Sequence, residues 1–327
     1  MIKIKLLVFC GFLSFFYTSV ACDICGNFMG VTPYNNRNSI SFLHRYRVFN
    51  GYRSYQDQSR FFPASAYRIA HADHDTITSG PRVYSAKDFE SYKIFELRLK
   101  YFVHKRVELN VFLPLLDNKT KTNEVYEHHT GFGDVSFNAG FHVLLPDEEK
   151  TIKQKLVLGI GVKLPTGNYY AHNAHSDRLP FEMQPGTGSV DEFVYFNYIV
   201  MNDKIGINAN GNFKMNGKNR YHEQVHNSTT DFVSLFYKLT SGRWMFYPSV
   251  QLNYEYTKGL QVKGILQKAT AVNTLLLGPG LDVYYKSVSL SASWQFTVME
   301  KVAVGDLKSA GRLTLGLNYN FSTKTKE

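Results

Sequence analysis

The sequence predicts an all-β fold: a transmembrane up-and-down antiparallel β-barrel of about 12 strands, with long extracellular loops and short periplasmic turns. Three observations predict it. Segments of roughly ten residues that alternate apolar and polar side chains recur along the chain. The connections between these segments alternate short and long. The last segment, Thr314-Leu315-Gly316-Leu317-Asn318-Tyr319-Asn320-Phe321, has polar-x-Gly-x-x-aromatic-x-aromatic form. That form resembles the terminal-strand signal read by the outer-membrane barrel assembly machinery, departing from it in the six residues that follow Phe321.

The N-terminus precedes the first strand and reads differently. Lys3 and Lys5 form a positive start, Leu6 to Tyr17 is apolar, and Ser19-Val20-Ala21 is a small-x-small cleavage site. This is the pattern of a secretory signal peptide. The 327-residue chain has a formal net charge of +10, and removing the leader takes two lysines and no acids, which leaves about +8. Cys22 and Cys25 then form Cys-Asp-Ile-Cys. The spacing is open to a local disulfide, a lipidated Cys22 or half a metal site. Redox catalysis would need a strand followed by a helix N-terminus, and neither is legible there. The expected organisation is a signal peptide over 1–21, an N-terminal segment over 22–37 long enough to plug a bore, a barrel over 38–321 and a tail over 322–327.

The strands follow in order. The first lies near Ser39 to Val48. On the apolar side then come Phe95, Leu97, Leu99 and Tyr101; Val107, Leu109, Val111 and Leu113; and Val135, Phe137, Ala139, Phe141, Val143 and Leu145. Leu156 to Val162, Val194 to Val200, Ile205 to Phe213, Val233 to Leu239 and Trp244 to Tyr254 continue the pattern. Leu275 to Val283, Val288 to Phe296 and Leu313 to Phe321 complete it. No run of 18 apolar residues follows the leader, so no spanning helix is expected. Alternation also suits a soluble sandwich. Connection lengths separate the two. Short ones lie at His104-Lys105, Pro146-Lys150, Asn202-Asp203, Ser241-Gly242 and Lys286-Ser287. Long ones lie at about 49–88, 116–130, 165–188, 216–229, 257–271 and 299–310. Strands of this length cross a bilayer when tilted, and closure removes the edges that lipid cannot satisfy.

Three glycine-containing stretches carry a resemblance. Gly131-Phe132-Gly133-Asp134-Val135, Leu164-Pro165-Thr166-Gly167 and Gln184-Pro185-Gly186-Thr187-Gly188-Ser189 are similar to motifs of the family labelled as the MetA pathway of phenol degradation. The Cys-x-x-Cys start and His44-Arg45-Tyr46-Arg47 resemble Bacteroidetes members of that group. The resemblance implies an outer-membrane barrel, often called a transporter, and passage of small molecules without chemistry. Aromatic, hydrophobic or metal-related solutes are the candidates; the phenol label is a pathway association. The resemblance supplies no catalytic residues.

Two motifs invite chemistry. Gly131-Phe132-Gly133 precedes a strand and not a helix, so it is no phosphate cradle. His222-Glu223-Gln224-Val225-His226 matches the zinc-protease H-E-x-x-H, but polar loop residues flank it where an amphipathic helix is required. No enzyme is expected. The histidines are more informative. His71 and His74, His128 and His129, His172 and His175, and His222 and His226 form one pair in each of the first four long loops. Acids accompany them, so the loops could converge on copper or zinc, the one cofactor class expected, or be merely polar.

The inner face is expected to carry both signs. Arg45, Arg47, Arg98, Lys100, Lys155, Lys163, Lys214 and Arg312 stand against Glu96, Glu108, Asp134, Asp191, Glu255 and Asp282, with His142 beside them. Such residues either tie the wall together or line a charged path. The expected partners are outer-membrane lipid and lipopolysaccharide, the assembly machinery and a small-molecule or metal solute, with no nucleic acid. Residence in the outer membrane follows.

Overall fold

The computed structural model describes residues 37–52, 87–122, 125–147, 149–173, 176–267, 270–301 and 307–322. The leader, Cys22 and Cys25, most of the first long loop and the end of the tail lie outside them. Twelve wall positions close into one antiparallel barrel. They are filled by β1 (Asn38–Tyr52), β2 (Phe89–His104), β3 (Val107–Thr122), β4 (Val125–Phe132) with β5 (Ser136–Leu144), β6 (Lys153–Lys163) and β7 (Asp191–Met201). The remainder are β8 (Ile205–Asn216), β10 (Ser228–Tyr237), β12 (Trp244–Thr257), β15 (Val272–Tyr285), β16 (Val288–Glu300) and β17 (Leu307–Phe321). Each pairs with its chain neighbour, and β1 pairs with β17 from Asn38↔Phe321 to Tyr52↔Leu307, which closes the wall.

β4 and β5 share one wall position. β4 pairs with Leu115 to Thr122 of β3, and β5 with Val107 to Phe112. Gly133, Asp134 and Val135 lie between them, so the fourth strand is broken at the height where the family motif falls. β6 continues beside β5 only as far as Lys163↔Ser136.

The pleat sorts the side chains. Phe42, Phe95, Leu99, Leu109, Phe141, Ile160, Val250, Leu290, Leu315 and Leu317 are exposed on the outer surface. A belt this large would be a liability in water and suits hydrocarbon. Aromatics flank it at the short-turn end, where Trp244 lies tilted against Tyr285 with ring centroids 4.5 Å apart and Tyr101 and Tyr319 are exposed. Indole and phenol rings favour that interfacial depth. Gly242 and Lys286, with φ of 58° and 51°, form tight left-handed turns there.

Three expected loops contain strands. Residues 116–130 were expected as a loop but form a hairpin, since β3 runs on to Thr122 and β4 starts at Val125. Above the membrane the hydrophobic alternation stops while backbone pairing continues, and β-branched Thr120, Thr122, Val125 and Thr130 sustain it. The 216–229 and 257–271 segments contribute β9 (Glu223–Val225), β13 (Leu260–Val262) and β14 (Ile265–Gln267), a small three-stranded sheet at the outer end. β11 (Leu239–Ser241) pairs with β12 beside a short turn.

Candidate functional site in the bore and its outer cap

The three glycine motifs converge on Asp134. Its Oδ1 accepts the Gly167 N–H at 2.9 Å. Its Oδ2 accepts the Thr187 N–H and hydroxyl, each at 2.9 Å, and pairs with Lys163 Nζ at 2.9 Å. Lys163 also pairs with Asp191 at 2.6 Å, and Asp191 lies 3.9 Å from Lys214. Two acids and two bases are therefore balanced at the outer end of β5 to β8. Gly167 and Gly186 let the strands of this knot touch: a Cβ on Gly186 would lie 2.7 Å from the Gly167 carbonyl carbon, and one on Gly167 would lie 2.8 Å from that of Gly133.

The knot turns the 165–190 segment inward. Ala171, Leu179 and Met183 bury one another beside Tyr92 of the wall. Gln184 bridges the turns, accepting from Ala171 N–H and donating to the carbonyls of Ala171 and Leu179. A short 3-10 helix, Phe181–Met183, presents Phe181 to Val225 of β9 and Leu260 of β13. Arg178 joins the cap to β9 through two bonds to Glu223, at 2.5 and 2.9 Å, and its guanidinium lies over Tyr221 at 4.3 Å. The outer mouth thus carries a cap of loop and small sheet, held by apolar contacts and one forked ion pair.

Below the cap the inner face is polar. Arg47 of β1 and Arg312 of β17 are register partners, and both reach Glu255 of β12; the Arg47 pair spans 2.8 Å. Arg312 also donates to Gln295 Oε1 through Nε and Nη2. Arg45, Glu255, Gln251, Asn253 and Arg312 line one small cavity. Glu96 pairs with Arg98, whose guanidinium lies over Phe112 at 5.1 Å. Near the short turns, Glu108 pairs with Lys100 at 3.4 Å and with His142 Nε2 at 3.0 Å. Asp282 accepts from Ser291. The inner set expected from the sequence is therefore distributed over four charged groups, two toward the mouth, one mid-wall and one near the short turns, with Asp282 apart from them.

The histidine pairs are differently placed. His128 and His129, expected in a loop, are adjacent in β4, so their side chains leave opposite faces. His128 points outward, its Nε2 2.5 Å from Asp117 and 3.3 Å from Thr130. His129 points inward, toward Gly131 and Pro185. These two cannot chelate one ion together. His172 is exposed and bridges Arg178 through its backbone. His222 is exposed in a left-handed turn with φ of 60°, and the residues after it form β9, so H-E-x-x-H is turn and strand. His71, His74 and His175 lie outside the described residues. Among those described, no three His, Cys, Asp or Glu side chains gather as metal ligands.

One inner feature is not in the set read from the sequence. Ile199, Phe236, Tyr247 and Tyr284 pack together inside the wall beside the short turns, with Met201 and Met245 against them. Tyr247 and Tyr284 are each 1% exposed. They form an aromatic floor at the periplasmic end. Each occupies the inward phase of its strand, and that phase was the available signal.

An apolar exterior, a polar charged interior and a capped mouth define a transmembrane β-barrel of the outer-membrane type. The family model described as "Putative MetA-pathway of phenol degradation" matches residues 83–305, and the chain belongs to that family. Among solved structures, the chain is similar to an outer membrane channel from Pseudomonas putida F1, with a TM-score of 0.65 and 13% identity, covering 92% of this chain and 100% of that one. The β domain of the Bordetella autotransporter BrkA aligns with a TM-score of 0.46 and 10% identity over 88% of this chain and 100% of that one. The transport unit of the autotransporter AIDA-I from Escherichia coli aligns with a TM-score of 0.44 and 10% identity, over 90% and 94%. No curated protein matches the chain.

Proposed function

We propose that this protein is an outer-membrane channel through which a small solute passes without chemical change. The observation that carries the reading is the closed wall with lipid-compatible residues outside and charged, hydrogen-bonding residues inside. The similar Pseudomonas putida structure is named as an outer membrane channel, which supports the same role here. Passage requires movement at two levels. The cap over 165–190 must swing from the mouth, and the Tyr247 and Tyr284 floor must part. The family description favours an aromatic or hydrophobic solute. The same reading takes the Cys-x-x-Cys start as similar to that of Bacteroidetes-type members, and export as the work of the leader over residues 1–21.

The test is reconstitution into planar bilayers and solute-loaded liposomes. Conductance steps, with uptake of small aromatic solutes above that of empty liposomes, are expected. Electrically silent protein that also fails to admit any solute would overturn the reading.

A further inference from the structure

Three cations and one carboxylate meet in the outer half of the bore, and the four are unequally satisfied. Glu255 receives Arg47 and Arg312, one on each oxygen. Arg312 donates from all three of its guanidinium nitrogens, to Glu255 and Gln295. Arg47 is not. Its Nη1 donates to Glu255 at 2.8 Å, but its Nε and Nη2 are buried and have no hydrogen-bond partner. Those two N–H groups leave one edge of the guanidinium in parallel. That edge matches the two oxygens of a carboxylate. A buried charged donor without an acceptor is costly, and its acceptor is expected to arrive from elsewhere.

The surroundings narrow the acceptor. Arg45 lines the adjoining cavity beside Glu255 and Arg312, so a second guanidinium stands close to the Arg47 pair. Phe49 lies against the Arg47 guanidinium at 4.9 Å, and Phe232 lines the same cavity as Arg45. Aromatic carbon therefore flanks the charge. The knot around Lys163 offers no unpartnered donor edge, and two acids face two bases there. The Glu108 group has buried polar atoms too, but its only unpartnered imidazole nitrogen is a single atom on His142 and offers no fork.

We propose that the Nε–Nη2 edge of Arg47 is a subsite for the carboxylate of a small organic anion on its way through the bore. A planar two-oxygen group fits one free edge, whereas a phosphate dianion would call on donors that Arg312 has already committed. The proposal rests on the channel reading and adds a substrate class to it.

Benzoate and its neutral isostere benzamide are the probes. In planar bilayers, benzoate is expected to block the current through the wild-type protein, and benzamide is not. Arg47→Gln is expected to weaken the block about tenfold, the loss of one charged pair of hydrogen bonds. Arg47→Lys is expected to weaken it as much, because an ammonium keeps the charge and lacks the fork. Equal block by the two probes, or unchanged block in Arg47→Gln, overturns the subsite, and full block in Arg47→Lys overturns the forked geometry. Calorimetry of benzoate and benzamide with the detergent-folded wild type runs in parallel and needs no variant. Wild-type protein that binds benzoate but carries no current keeps the subsite and refutes the channel. Protein that conducts but binds neither probe, or both alike, keeps the channel and refutes the subsite.

Discussion

The Oδ1 of Asp134 accepts the backbone N–H of Gly167 at 2.9 Å, tying the break in the fourth wall strand to the start of the inward-folded loop. The same carboxylate holds Thr187 at the far end of that loop. One side chain therefore closes both ends of the 165–190 segment.

Asp134→Ala removes both anchors and leaves Lys163 with Asp191 and the Thr187 hydroxyl. Breaking a buried pair on one side costs about 3–5 kcal/mol. The expected outcome is a lower temperature for loss of the fast-migrating folded form on unboiled gels. Trypsin should also cut at Arg178, which the cap otherwise protects. Unchanged resistance at Arg178 would show that the cap does not depend on this carboxylate.

Gly186→Ala drives a methyl group to 2.7 Å from the Gly167 backbone, which has no side chain to move aside. Overpacking of this kind costs about 1–3 kcal/mol. Gly242 is the contrast: nothing lies within 4 Å of its Cβ position, and only its φ of 58° opposes alanine. That penalty is roughly 1–2 kcal/mol and confined to one turn. Cap protection from trypsin should fall in Gly186→Ala and stay at the wild-type level in Gly242→Ala.

Tyr247→Ala with Tyr284→Ala removes two of the three rings of the aromatic floor. Truncating large buried side chains costs about 3–5 kcal/mol each where the site cannot collapse. Here the space opens into the bore. Single-channel conductance of the double variant is expected to rise above that of wild type, provided the gel shift confirms a folded barrel. Equal conductance would place the narrowest point elsewhere.

Glu223 gives the cap a pH dependence. Its burial pushes the carboxyl up, but the hydrogen bonds from Arg178 and Asn219, with the Arg178 charge, outweigh that and hold it below its ordinary value of 4.5. Between the two values the unfolded carboxyl binds more protons than the folded one. The stabilisation is therefore complete above pH 4.5 and fades as pH falls through the lowered folded value. Hydrogen exchange at 219–226, corrected for intrinsic rates, should accelerate below pH 4.5 in wild type. Glu223→Gln should exchange faster already at neutral pH and lack the acid step.

Fold class was legible because the membrane imposes two strict periods. Side chains alternate at every second residue inside hydrocarbon, and loop lengths alternate at every second strand. Leu290 and Trp294 outside, with Ser293 and Gln295 inside, obey the first rule without exception. Above the hydrocarbon no such constraint acts. Asp117 and Thr130 sit in a paired hairpin whose sequence looks like a loop, because polar residues are free to occupy both faces there. The inward charges could be read from phase alone, but not their partners. Nothing near Arg47 in sequence indicates Glu255, which lies 208 residues away. The aromatic floor escaped for the converse reason. Phe236 and Tyr247 are apolar residues in an inward phase, and an alternation count registers only that a strand continues.

The β1–β17 seam also bears on how the barrel is made. Like charges directly opposite on neighbouring strands repel. Arg47 and Arg312 are such a pair, placed where the first strand meets the last. Their common counter-charge is not on either strand but on β12. The seam is therefore unfavourable until the wall between β12 and β17 has formed and delivered Glu255. Zipping the ends together early is penalised, and joining them after the rest is rewarded, so the arginines act as a checkpoint on the order of assembly. Glu255→Gln should accordingly slow the appearance of the fast-migrating species during refolding.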